Sequence, residues 1–282
     1  MTGFENYDKK ELLNKIEKIS IQRVGDSIVT SYYDRVINTT IVSKRYEIFD
    51  IVKYLKDKIE AIEKNFTISQ YKLVITKGVQ SLQLLSDSVV VNNLNFRKSF
   101  YIVNSTDKSR RLSFNAGLHS HNFYMIGVNN ISLTKKHLTG VTKAAEDASD
   151  GLNGETFDQQ IESMRSLVGH KIQFSKLREV ILGDKEKTPG INHRKFDALK
   201  NSIRHSHTSL TKDQINLLST SSESLSNISS KNDFYLDAFW VFVQYMQIFS
   251  RQDSHIIKKE TERIMKMTQW AVRNNILESL GI

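Results

Sequence analysis

The chain has 282 residues, 39% hydrophobic and 25% charged, with 40 Lys and Arg against 31 Asp and Glu and a formal net charge of +9. That length buries a sizeable core in one large or two modest domains, and the absence of cysteine excludes disulfides, thiolate nucleophiles and cysteine-ligated zinc together. The basic balance favours an anionic partner such as nucleic acid or an acidic protein surface, although a Lys- and Asn-rich composition accounts for it equally well.

The N-terminal stretch MTGFENYDKKELL has no apolar run behind a basic one, so no secretory leader is expected. Residues 7–20 place Leu12, Leu13, Ile16 and Ile19 at helical spacing with Asp8 as N-cap. Residues 21–42 are rich in β-branched and aromatic side chains around a Gly25-Asp26 turn, which predicts a two-stranded hairpin or meander. The helical period returns over residues 46–64, where Ile48, Ile51, Val52, Leu55, Ile59 and Ile62 form one stripe opposite a solvated charged face. Residues 66–130 read as five or six antiparallel strands, FTISQYKLVIT, QSLQLL, SVVVN, SFYIVNS, RLSFNAGLHSH and FYMIGV, broken at Gly78, Asp87, Asn92-Asn93 and Asp107-Lys108.

A helix is predicted over residues 133–149, and the break at 150–154 divides the chain into an α+β part, 1–150, and a mostly helical part, 151–282. The second part reads as one long or two consecutive helices over 157–182, then a loop over 183–190 holding the only proline. A basic helix over 193–203 follows, then a Ser/Thr-rich mobile segment over 206–232 with a weak helical patch at 215–218. Residues 233–249 are apolar on nearly all sides, as a buried helix or an oligomer contact would be. They are too short and too often interrupted by polar residues to span a bilayer, so no membrane association is expected and the cytoplasm is the expected location. A final amphipathic helix is predicted over 259–280.

Function concentrates in one stretch. Between Arg97 and Lys143 the basic residues Arg97, Lys98, Lys108, Arg110, Arg111, Lys135, Lys136 and Lys143 face one acid, Asp107, so this segment supplies +7 of the +9. Aromatic residues interleave with it, Phe100, Tyr101, Phe114, Phe123 and Tyr124. Cations that track phosphates beside rings that stack bases are the means by which single-stranded nucleic acid is held without sequence preference. The predicted contacts are Arg97, Lys98, Lys108, Arg110, Arg111, Lys135 and Lys136, with Tyr101 and Tyr124 for stacking. Since strands alternate faces, about half of the aromatics point into a core in any case, and the basic pair then only decorates a turn.

Other motifs are weaker. None of the twelve glycines stands in a phosphate-binding pattern, which argues against P-loop and dinucleotide-binding enzymes. His119 and His121 share one strand face and would chelate a divalent metal if a carboxylate or third imidazole joined them, but eight histidines make the coincidence ordinary. No metal and no cofactor is expected. His205 and His207 repeat the spacing at the end of the basic helix. The segment DASDGLNGE lacks the alternating ligands of a calcium loop. A cation-dependent nuclease needs several carboxylates and this region offers only Asp107, so the expected role is non-enzymatic.

The segments SKRYEIFDIVKYLKD and FYIVNSTDKSRRLSFNAGLHSHN resemble a phage- and plasmid-borne family of unknown function, labelled phage/plasmid-like protein. Ser43, Arg45 and Tyr46 match its Ser-x-Arg-Tyr lead into a helix, and Asn104, Ser105, Asp107 and Ser109 match most of its Asn-Ser-x-Asp-Gly-Ser turn. The chain departs where the family carries a cysteine-containing motif: residues 119–122 stand there, with Phe123 in place of glycine. The resemblance covers about residues 40–130 and implies a phage or mobile-element origin. The order of elements is also similar to single-strand annealing proteins, which implies a homo-oligomer holding single-stranded DNA in a basic groove. The expected function is thus a nucleic-acid-binding accessory protein with single-stranded DNA favoured. The alternative is a structural or protein-interaction role, as a virion component or host-defence antagonist.

Overall fold

The protein is α+β, with antiparallel sheets and helices in its N-terminal half and helices dominating residues 157–244. The computed structural model describes residues 5–76, 78–107, 112–120, 123–135, 154–182, 189–206, 210–220 and 233–250. They fall into two compact units, and the division in the sequence lies between Gln159 and Gln160.

In the first unit β1 (Glu5–Tyr7) leads into α1 (Lys9–Glu17), whose N-cap Asp8 accepts from the Glu11 backbone N–H at 2.8 Å. Three strands follow, β2 (Ile19–Val24), β3 (Ser27–Tyr32) and β4 (Arg35–Ile41), forming a three-stranded sheet. The sequence predicted two strands here. The second turn is Tyr33-Asp34, both at positive φ, 49° and 59°, a hairpin geometry ordinarily filled by Asn or Gly. A tyrosine there hides the turn.

The second helix, α2 (Ile51–Glu63), starts five residues later than predicted, because Asp50 caps it by accepting from the Lys53 N–H at 3.0 Å. Ile48, expected on its stripe, is exposed. Five long strands then join β1 in a six-stranded sheet of order β1-β5-β6-β7-β8-β9. They are β5 (Ile68–Thr76), β6 (Val79–Val91), β7 (Leu94–Ser105), β8 (Leu112–Ser120) and β9 (Phe123–Lys135). The predicted break at Asp87 is a bulge inside β6, where the register to β7 shifts between Leu85 and Ser88. A bulge interrupts the alternation without ending the strand. The helix predicted over 133–149 begins instead as the end of β9, and residues 136–150 lie outside the described residues.

Alternation gives the large sheet two chemically distinct faces. One carries Leu73, Leu82, Leu84, Phe100, Ile102, Phe114, Ala116 and Leu118, all buried. Phe66, just beyond α2, stands 4.8 Å from Phe100 by ring centroids, and Phe157 closes the triangle at 5.4 and 5.5 Å. Phe157 belongs to α3 (Gly154–Leu167), so the first turn of that helix is part of the first unit's core.

In the second unit α3 continues to Leu167. It is followed by β10 (Lys171–Gln173), α4 (Phe174–Leu182), α5 (Pro189–Ser206) and α6 (Lys212–Ser219), then β11 (Tyr235–Asp237) and α7 (Ala238–Ser250). The proline expected in a loop is the first residue of α5, where its missing N–H costs nothing. The weak helical patch is α6, held by a capping box between Thr211 and Gln214. Residues 221–232 and 251–282, including the predicted last helix, lie outside the described residues. Within the apolar segment Phe234, Leu236, Phe239, Val241, Phe242 and Val243 are buried and Tyr235 is exposed, with Phe174 stacked on Phe196 and Phe234 at 5.4 and 5.0 Å. The side chains of residues 245–249 lie outside the described residues. No helix among the described residues is long and apolar enough to cross a membrane.

Replacing Phe157 by Ala removes a fully buried ring from the Phe66–Phe100–Phe157 triangle. Large-to-small changes of this kind cost about 3–5 kcal/mol, and urea unfolding of the variant should show a loss of that size.

Candidate nucleic-acid interface

The basic residues around Lys108 sit in the connection between β7 and β8, and the described residues show how its leading end is held. Thr106, the first residue past β7, donates its backbone N–H to the Gly78 carbonyl at 2.7 Å and its hydroxyl to the same oxygen at 3.1 Å. With its one proton committed, the Thr106 hydroxyl accepts from Thr30 of β3, 2.6 Å away. Gly78 has φ +85°, and a Cβ there would stand 2.8 Å from Asn38 Nδ2 and 3.1 Å from the Asp107 Cβ. A side chain at this position is strained by the positive φ and crowds Asn38 and Asp107, which favours glycine.

The segments around Tyr46 and Asp107 meet at the same place. Tyr46 donates its hydroxyl to the Ser105 carbonyl at 3.2 Å, and Ser105 Oγ donates to the Asp107 carboxylate at 2.5 Å. Burial first, and then the Asp107 carboxylate, push the Tyr46 phenol up to about 12. One residue earlier, Asn104 Nδ2 donates to Gln80 Oε1 at 2.7 Å inside the sheet. The Asp107 turn is thus tied to β3, to the β5–β6 turn and to the segment ahead of α2.

Strand register divides the basic stretch into two ends. Leu112 pairs with Lys135, so Lys135 lies beside the β7–β8 connection that carries Lys108, Arg110 and Arg111, with Lys136 next in the chain. Lys108, Arg110, Arg111 and Lys136 are outside the described residues, as are the Lys135 side chain and the Tyr124 ring. Arg97 and Lys98 lie near the other end of β7, where Arg97 pairs with His119. Eight residues of extended strand from Arg97 to Ser105 span about 27 Å, against a Debye length of about 10 Å at 0.1 M salt. The two ends act as separate electrostatic sites.

Lys98 is engaged inside the fold. It lies 2.8 Å from Asp158 Oδ1, and its ammonium sits 5.7 and 5.6 Å from the ring centroids of Phe66 and Phe157. Its charge is balanced and its position set by the core. Tyr101 is 1% exposed, so in this arrangement its ring offers no face on which a base could stack. His119 is on β8 and half-buried, whereas His121 is outside the described residues. No group of three His, Asp or Glu that could hold a metal occurs among the described residues.

Residues the sequence reading passed over line the sheet's other face. Tyr101 shares that face with Arg97 and Ser99, and register sets Gln83 and Asn115 beside it and Ser81 and Ser113 one row on. All but Arg97 are buried. Gln83 donates to Ser99 at 3.1 Å, but Arg97 Nη1, Ser81 Oγ, Ser113 Oγ and Asn115 Nδ2 are buried with no hydrogen-bond partner among the described residues. Leaving such a group unpaired costs about 1–3 kcal/mol. The signal was present in the sequence as polar residues at every second position: Ser81 and Gln83, Ser99 and Tyr101, Ser113 and Asn115.

No protein-family model, no curated protein and no solved structure matches this chain.

Tyr46 gives the turn a pH signature. Its phenol holds the proton more tightly folded than at its ordinary value near 10, so its contribution to stability is complete below pH 10 and is lost as pH rises from about 10 towards 12. In Tyr46→Phe, unfolding free energies measured by urea at pH 9, 10 and 11 should fall less steeply than in the parent chain.

Proposed function

We propose that this protein binds single-stranded nucleic acid, with DNA favoured, as a non-enzymatic accessory protein of a phage or mobile element. The binding residues are Lys108, Arg110 and Arg111 in the β7–β8 connection and Lys135 at the end of β9, with Lys136 next in the chain. The observation that carries the reading is the Leu112–Lys135 register, which puts a cation distant in sequence next to the basic connection. The Asp107 turn supports it, because a connection anchored at Thr106 and Asp107 loses less freedom on binding than an untethered one. The resemblance to annealing proteins and the +7 segment point the same way. Tyr124 stands on β9 between Phe123 and Met125, which pair with Ser120 and His119, so the stacking residue of the sequence reading lies at the Arg97 end and not beside Lys135. Arg97, about 27 Å away along β7, is at most a second and independent phosphate contact.

Fluorescence anisotropy with a labelled single-stranded oligonucleotide tests this reading. Five phosphate contacts give a salt slope of about −3.5, near 0.7 per contact for a single strand. Replacing Arg110 and Arg111 together by Ala should reduce that slope by about 1.4 and weaken binding alike for all sequences. Unfolding free energy should change by less than about 0.5 kcal/mol, as is usual for exposed charges. Lys98→Ala is the control and should lose stability, by about 1–2 kcal/mol, with the slope unchanged. No binding by the parent chain at 50 mM salt, or an unaltered slope in the double variant, sinks the reading.

A further inference from the structure

Strand β4 closes one side of the three-stranded sheet, and among the described residues nothing hydrogen-bonds to its outer edge. Natural sheets guard such edges with Lys, Pro or charged side chains. Arg23 serves on β2, the opposite edge, where it donates to the Tyr46 carbonyl at 2.7 Å. After Arg35, however, the run Val-Ile-Asn-Thr-Thr-Ile-Val-Ser over residues 36–43 carries no charge and no proline. Register places Val36 opposite Ser31, Thr39 opposite Val29 and Ile41 opposite Ser27. Ile28 and Thr30 of β3 point inward and are buried, while Val36 and Ile41 are 63% and 74% exposed. The outward side of this edge therefore carries the exposed aliphatic Val36 and Ile41 with Thr39 between them, and no charge.

We infer that β4 is a self-association surface on which two copies of the chain pair edge to edge, antiparallel about a two-fold axis. Charge selects the occupant. A chain of net charge +9 repels its own copies wherever cations face one another, and a neutral strip eight residues long is where two copies meet without that cost. Nucleic acid and acidic partners gain nothing from an uncharged edge. A two-fold pairing is self-complementary: each strand fills the other's open backbone groups, as in strand addition, while Val36 and Ile41 are covered. The seven residues of β4 bury well under the roughly 800 Å² per partner of a standard interface, so the dissociation constant is expected on the order of 100 µM. None of these residues belongs to the basic footprint, so the inference stands or falls apart from nucleic-acid binding.

Sedimentation equilibrium on nuclease-treated full chain, from about 10 µM to about 1 mM, should show a monomer–dimer equilibrium. Amide hydrogen exchange over residues 35–42 should slow at the higher concentration. Ile41→Lys and, as a second exposed-site variant, Val36→Lys should weaken the dimer about tenfold or more with circular dichroism unchanged. Val24→Lys, on the far edge of the same sheet, should leave it intact. A monomer throughout the range overturns the inference. So does a dimer that neither protects β4 nor responds to Ile41→Lys, or one that Val24→Lys weakens equally.

Discussion

The Gly78 carbonyl accepts two hydrogen bonds from Thr106, one from its backbone N–H and one from its hydroxyl, and the upper end of the large sheet depends on that pair. It ties the turn between β5 and β6 to the exit of β7. Thr30 extends the tie into the small sheet through the Thr106 hydroxyl, and Tyr46 and Ser105 extend it into the segment ahead of α2. Because Gly78 has positive φ and Asn38 and Asp107 against it, any side chain there is strained. The basic connection that follows Asp107 starts from this fixed point.

Several elements were legible in the sequence because local chemistry decides them. Asp8 before the α1 stripe, the Asn92-Asn93 turn at positive φ and the strands of the large sheet each carry their signal within a few residues. The errors have a common cause, which is that tertiary contacts outweighed local preference. Tyr33 adopts a turn conformation that its side chain disfavours, because β3 and β4 pair on either side. Asp87 looks like a strand break but is absorbed as a bulge. Phe157, on the far side of the predicted boundary at 150, packs with Phe66 and Phe100 and so carries the first turn of α3 into the first unit.

The candidate site shows the same limit at larger scale. A run of charge along the sequence does not imply a patch of charge in space once the run folds into a hairpin. Register moves Lys135 beside the β7–β8 connection, leaves Arg97 and Lys98 at the other end of β7 and turns Tyr101 into the sheet's polar buried face. The pairing of Lys98 with Asp158 was not legible at all, since sixty residues separate the two. The meeting of Tyr46 with Ser105 and Asp107 was visible only as two motif fragments without a reason to be neighbours. The polar alternation of β6, β7 and β8 was readable, but its meaning depends on knowing that these strands are adjacent.

Ultraviolet cross-linking of a single-stranded oligonucleotide to the full chain, with the attached peptides identified by mass spectrometry, tests the central claim most directly. The account predicts adducts on peptides spanning residues 105–112 and 124–136, which disappear as salt is raised. The basic helix α5 exposes Arg194 and Arg204 and is the natural competitor. Adducts confined to α5, with none near the Asp107 turn, would contradict the account.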